Sequence, residues 1–158
     1  MRFATILVMF VIAFRVYSQD LVIRIDQQPP ITLTHQSIVE QFSATEFTTQ
    51  LPWFDRSHHF SGFKVSELLD YLDIDNVSAV SFIALNDYGA TTIIEDVQRY
   101  QPIVAYQMDH KNIRVRHKGP YWLVFNLDRY PSIDNATYHS QMVWQIDEIL
   151  IHKSEQSE

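Results

Sequence analysis

The stretch Ile113–Phe125, "IRVRHKGPYWLVF", gathers Arg114, Arg116, His117 and Lys118 in a chain of net charge −7. These cations precede a Gly119-Pro120 turn and the aromatic pair Tyr121-Trp122. Read as extended backbone, 113–118 sends Ile113, Val115 and His117 one way and Arg114, Arg116 and Lys118 the other. The cations then form a row with about 6.6 Å between neighbours. Guanidinium and ammonium groups donate to oxyanions, carbonyls and ring nitrogens. Indole offers a planar face, and glycine lets backbone approach a ligand closely. An anion or a flat polar ring is what such a set would hold; the bland alternative is a solvated strand face.

Two further clusters could share that chemistry. "ALNDYGA", Ala84 to Ala90, follows an apolar run. It therefore reads as a loop at a strand end, where sites concentrate, or as a plain β-turn. Its Asp87 is acceptor-only when ionised and can take paired N–H bonds from an amidine-like edge, with Tyr88 beside it. "LPWFDRSHHFSGF", Leu51 to Phe63, surrounds His58 and His59 with Trp53, Phe54, Phe60 and Phe63. Adjacent histidines diverge in a strand, and no metal-ligand spacing supports them. Trp53 reads as a stacking platform or as core, and Trp144 in "HSQMVWQIDEILI" as core or pocket wall. The chain shows no nucleophile elbow and no paired catalytic carboxylates.

Composition limits the alternatives. There is no cysteine, which removes thiolate nucleophiles, thiolate metal ligands and redox pairs. Residues 1–18 read as a secretory signal: Arg2, an apolar run from Phe3 to Phe14, and a cleavage site after Ser18. Arg15 leaves an uncleaved anchor as the alternative. Without Arg2 and Arg15, ten Lys and Arg face nineteen Asp and Glu, giving −9. That balance argues against nucleic acid as a partner, since phosphate neutralisation needs many cations. Residues 19–152 suffice for one domain, and 153–158 form a polar tail.

The elements that must position these residues read as mostly strands. Expected strands are 21–25, 31–34, 46–51, 79–85, 91–95, 103–108, 113–116, 121–127 and 142–151, rich in β-branched and aromatic residues. "DHKN" at 109–112 reads as a hairpin connection. Val143, Ile146 and Ile149 do not share one period-2 face, which points to a bulge. Thr34 can cap a helix over "HQSIVEQF". Val65, Leu68, Leu69 and Leu72 give the clearest helical spacing, with Gly62 just before it; "IEDVQRY" reads as a short turn. Without a βαβ rhythm, the expectation is an α+β domain with mostly antiparallel sheets.

The order "HFSGFKVSELLDYL", "ALNDY", "VRHKGPYWLVF" and "VWQIDEILI" resembles the stand-alone, exported version of the molybdopterin-binding oxidoreductase domain, the sulfite-oxidase fold. The resemblance covers roughly 20–152. Enzymes of that family bind molybdenum through a cysteine, which is missing here, and Val143 stands where they carry a lysine before the tryptophan. Some exported members similarly lack the cysteine. They bind simple pterins and signal through a membrane partner that makes or degrades cyclic di-GMP.

The resemblance therefore implies a periplasmic pterin sensor without catalysis, with molybdenum not expected. Asp87 would fix the pyrimidinone edge, and Arg116 and Lys118 would bind polar atoms. Trp53, Tyr88 or Trp122 would stack on the ring, and Gly119 would admit it close to backbone. Arg114, His117, His59 and Trp144 are second choices. The alternatives are a molybdenum-cofactor oxidoreductase with atypical ligation and a ligand-free interaction module.

Overall fold

The structure, a computed structural model, describes residues 20–154 except residue 27; the expected signal segment and most of the polar tail lie outside the described residues. The chain builds two five-stranded sheets. The first runs β2 (Ile31–Leu33), β1 (Leu21–Ile25), β10 (Ile146–Lys153), β5 (Val77–Ala84), β6 (Gly89–Ile93). Only β1 and β10 pair in parallel. The second runs β3 (Thr45–Thr49), β4 (His58–Lys64), β7 (Ile103–Met108), β8 (Lys111–Asn112), with β9 (Trp122–Val124) also on β7. All its pairings are antiparallel. This is the expected α+β domain.

Period-2 alternation sets the first sheet. Leu21, Ile23 and Ile25 are buried while Val22 and Arg24 face out, and Arg24 donates to Glu148 at 2.7 Å across the parallel pair. The expected bulge is present as a register shift between Ile146 and Glu148, but the strand begins at Ile146 and not at 142, so Val143 lies before it. In the second sheet β7 and β9 are buried almost throughout. Such continuous burial is why "IVAYQM" and "WLV" read as apolar runs without alternation.

Four short helices complete the domain. α1 (His35–Gln41) begins at Thr34, whose hydroxyl accepts from Ser37 N at 3.1 Å. α2 (Val65–Tyr71) buries Val65, Leu68 and Leu69, the spacing seen in the sequence. "IEDVQRY" is a helix, not merely a turn: α3 (Ile94–Tyr100) has Glu95 and Asp96 in its first turn and Arg99 in its last, both favourable to the helix dipole. Two elements lie outside the expected set: α4 (Ala136–Gln141) and β4, which contains Gly62. A Cβ on Gly62 would stand 2.1 Å from Val104 O; the glycine permits backbone-to-backbone contact with β7 and does not cap α2. None of the helices among the described residues is long and apolar enough to cross a membrane.

The expected strand 113–116 is also corrected. Residues Val115–His117 form a 3₁₀ turn, closed by His117 N and Gly119 N, which both donate to Arg114 O at 2.7 and 2.9 Å. Lys118 follows in the left-handed region, φ 76°. A Cβ on Gly119 would stand 1.8 Å from Ile113 O. The chain therefore folds back upon itself here, and this self-contact excludes an extended row.

Candidate functional site

The chain has three tryptophans, and the fold brings all three together. Ring centroids are 5.7 Å apart for Trp53 and Trp122, 5.3 Å for Trp53 and Trp144, and 6.1 Å for Trp122 and Trp144. β9 supplies Trp122, and an isolated bridge pairs it with Trp144 just before β10. Leu123 N donates to Val143 O at 2.9 Å and Ile146 N to Tyr121 O at 3.0 Å, which fixes that register. Trp53 lies on the loop between β3 and β4. Trp122 is fully buried, and its indole N–H donates to Met142 O at 3.1 Å. It is thus a wall behind the other two indoles and is not placed to stack on a ligand directly.

Beside this cluster opens a cleft of about 400 Å³ lined by Trp53, Ala84, Asn86, Tyr88, His139, Ser140, Met142 and Trp144. Its volume falls within the range of small-molecule sites, which are mostly apolar with a few placed polar groups. The β5–β6 turn forms one side and α4 the other. Tyr88 joins them, its hydroxyl donating to Ser140 O at 2.7 Å. On the α4 side His139 Nε2 meets Asp134 Oδ1 at 2.7 Å, and its ring lies 6.1 Å from that of Trp53.

Lys118 stands against the same indoles. Its Nζ is 3.4 Å from the Trp144 ring centroid, 5.6 Å from Trp53 and 5.5 Å from Trp122. Among the described residues it has no carboxylate partner. Burial lowers its ammonium from the ordinary value, while the indole faces favour the cation. Gln145 holds its loop in place. Gln145 N donates to Lys118 O at 3.0 Å, its Nε2 to Val115 O at 2.8 Å, and its own carbonyl accepts from Leu85 N at 2.9 Å. One residue, through its backbone and its side chain together, thus ties the cationic loop to the end of β5.

The remaining expected residues fall elsewhere. Asp87 sits at the tip of the β5–β6 turn with φ 65°, its N–H donating to Ala84 O at 2.9 Å. It is exposed, and Asn86, not Asp87, lines the cleft. Burial pushes the Asp147 carboxyl up, with the charges of Glu148 and Asp87 adding to the effect. Gly119 is buried against Ile113, where no ligand ring can enter. Arg114, Arg116 and His117 are exposed on the 3₁₀ turn. His59 lies on the face of β4 opposite Phe60, whose ring touches Trp122. His59 Nδ1 meets Thr48 Oγ1 at 3.3 Å, and its Nε2 lies 3.6 Å from Glu46.

Sequence reasoning thus found Trp53, Tyr88 and Trp144 in the cleft lining and Lys118 against its indoles, and missed Asn86, His139, Ser140 and Met142 in the lining and Gln145 behind Lys118. Asn86 was within reach, since it shares the turn motif with Asp87 and Tyr88. Nothing local marks the others. α4 buries none of its residues and so carries no apolar period.

The residues present do not fit a molybdenum centre of the kind the resemblance implies. The chain has no thiolate, and no cluster of three or more His, Asp or Glu among the described residues could hold a metal ion. No protein-family model matches the sequence, and no curated protein matches it. Among solved structures, the chain is similar to the sulfane dehydrogenase SoxCD from Paracoccus pantotrophus, with TM-score 0.64 and 15% identity. The match covers 86% of this chain and 38% of that one. The fold is sulfite-oxidase-like. This chain spans well under half the length of that dehydrogenase, and at such identity the likeness speaks for architecture alone.

Proposed function

We propose that the protein is an exported pterin-binding sensor without catalytic activity, acting in the periplasm. Its occupancy would be relayed to the periplasmic region of a membrane enzyme that makes or degrades cyclic di-GMP. The observation that carries the binding half of this reading is the convergence of Trp53 and Trp144 with the Lys118 ammonium beside a cleft of about 400 Å³. A pterin is a flat bicycle with an amino-pyrimidinone edge. Indole and phenol faces suit its rings, and an ammonium donates to its carbonyl or ring nitrogens. Asn86, at the cleft wall, replaces Asp87 as the side chain offered to the edge, because its amide both donates and accepts. The missing thiolate favours binding over molybdenum chemistry, and the signal-like segment favours export.

The test is titration of the purified protein with a simple pterin, followed by tryptophan fluorescence. Because every tryptophan lies at the proposed site, quenching reports on that site alone. Saturable quenching at one ligand per chain is the expected result. Its absence, with the fold intact, leaves the ligand-free interaction module.

A further inference from the structure

Away from the tryptophan cleft, the β7–β8 hairpin and the 3₁₀ turn enclose a groove of about 670 Å³. Its walls carry Lys111, Arg114 and His117, and Met108 and Ile113 give it an apolar lining. Arg114 caps the 3₁₀ turn that carries His117, and both residues line the groove. Among the described residues these three side chains make no ion pair. Asp109 is the one acid at the wall, and it is engaged elsewhere. It accepts from Arg56 at 3.1 Å and from His59 N at 3.1 Å, and it meets His58 Nδ1 at 2.8 Å. An acidic chain has therefore concentrated unneutralised cations around a concave, partly apolar surface.

We propose that this groove is a docking surface for an acidic segment of a partner protein, one that combines Asp or Glu with an aliphatic side chain. The apolar lining takes the aliphatic group, and Lys111, Arg114 and His117 take the carboxylates. A phosphate-rich partner fits less well. Two cations, Lys111 and Arg114, neutralise few phosphates, and the net charge of −7 repels an extended anionic surface such as a lipid bilayer. The proposal goes beyond the pterin reading and does not depend on what fills the tryptophan cleft.

Fluorescence anisotropy tests it, using the ligand-free protein and a fluorescein-labelled peptide of interspersed glutamates and leucines. The expected result is saturable binding that is lost when glutamine replaces the glutamates and that weakens with salt. Lys111→Glu and Arg114→Glu should each weaken it by about tenfold or more. Lys153→Glu, the same charge change at the end of β10, should leave it unaltered. Lys111 and Arg114 are exposed, so both variants should keep the wild-type circular dichroism and melting temperature. Should Arg114→Glu fail to fold, Lys111→Gln serves in its place. Absence of peptide binding, equal weakening by Lys153→Glu, or tighter binding to anionic phospholipid vesicles than to the peptide overturns the proposal.

Discussion

Replacing Lys118 with methionine removes an ammonium while keeping most of its stem against the indoles. Two effects on stability oppose each other. The variant loses a cation–π contact with Nζ 3.4 Å from the Trp144 centroid, worth about 0.5–2 kcal/mol. It also removes a partly desolvated charge that has no carboxylate partner among the described residues. Because the terms oppose each other, the net loss of stability should stay below the cation–π contribution alone, under about 2 kcal/mol. Ligand binding has no such compensation. A charge-assisted hydrogen bond to a pterin carbonyl or ring nitrogen contributes about 1.5–3 kcal/mol. Its loss should raise Kd roughly 10- to 150-fold, read by tryptophan quenching.

The same variant tests the pH dependence. Burial lowers the Lys118 ammonium, so the folded state holds that proton less tightly than the unfolded chain. The resulting penalty is present below the folded-state value and fades as pH rises toward the ordinary 10.5. Lys118→Met should lack this alkaline gain. A variant that binds pterin as tightly as the wild type, with its fold intact, refutes the role given to Lys118.

Asn86→Ala should weaken pterin binding more than Asp87→Ala in the same titration, because only Asn86 lines the cleft; the reverse order would return the edge contact to Asp87. Gln145→Ala removes the hydrogen bond to Val115 O and should cost about 1 kcal/mol, with faster amide exchange at 115–118. Gly119→Ala places a Cβ 1.8 Å from Ile113 O. Its cost in urea unfolding should reach or exceed the top of the about 1–3 kcal/mol usual for overpacking. The Asp109 carboxyl is held at about 2, below its ordinary 3.8, chiefly by the His59 backbone N–H, with His58 and Arg56 adding. Its contribution is therefore present above about pH 4 and lost as pH falls toward 2. The urea-midpoint difference between wild type and Asp109→Asn should shrink over that window. Solvent around the partly exposed carboxylate keeps the effect modest.

Legibility in the sequence followed the range of the interactions involved. Helix α2 and the cap at Thr34 are set by neighbours three or four residues away, and both were readable. β4 was hidden because His58 and His59 open it and Gly62 interrupts it, where close approach to Val104 overrides strand propensity. "IRVR" imitates a strand by its alternation, yet contact between Gly119 and the Ile113 backbone turns it into a 3₁₀ coil. At the site, Trp53, Trp122 and Trp144 could be named singly, but their meeting depends on Trp122 of β9 bridging to Trp144 just before β10, against Trp53 from the β3–β4 loop. No local pattern encodes that. Asp87 was favoured for its charge, but turn geometry gave the inward place to its neighbour Asn86.

The most direct measurement is mass and fluorescence analysis, with metal determination, of the small molecule released when protein purified from the periplasm is denatured. The expected result is a simple pterin with no molybdenum. Stoichiometric molybdenum with a pyranopterin, or a molecule of another class in the cleft, would contradict the reading.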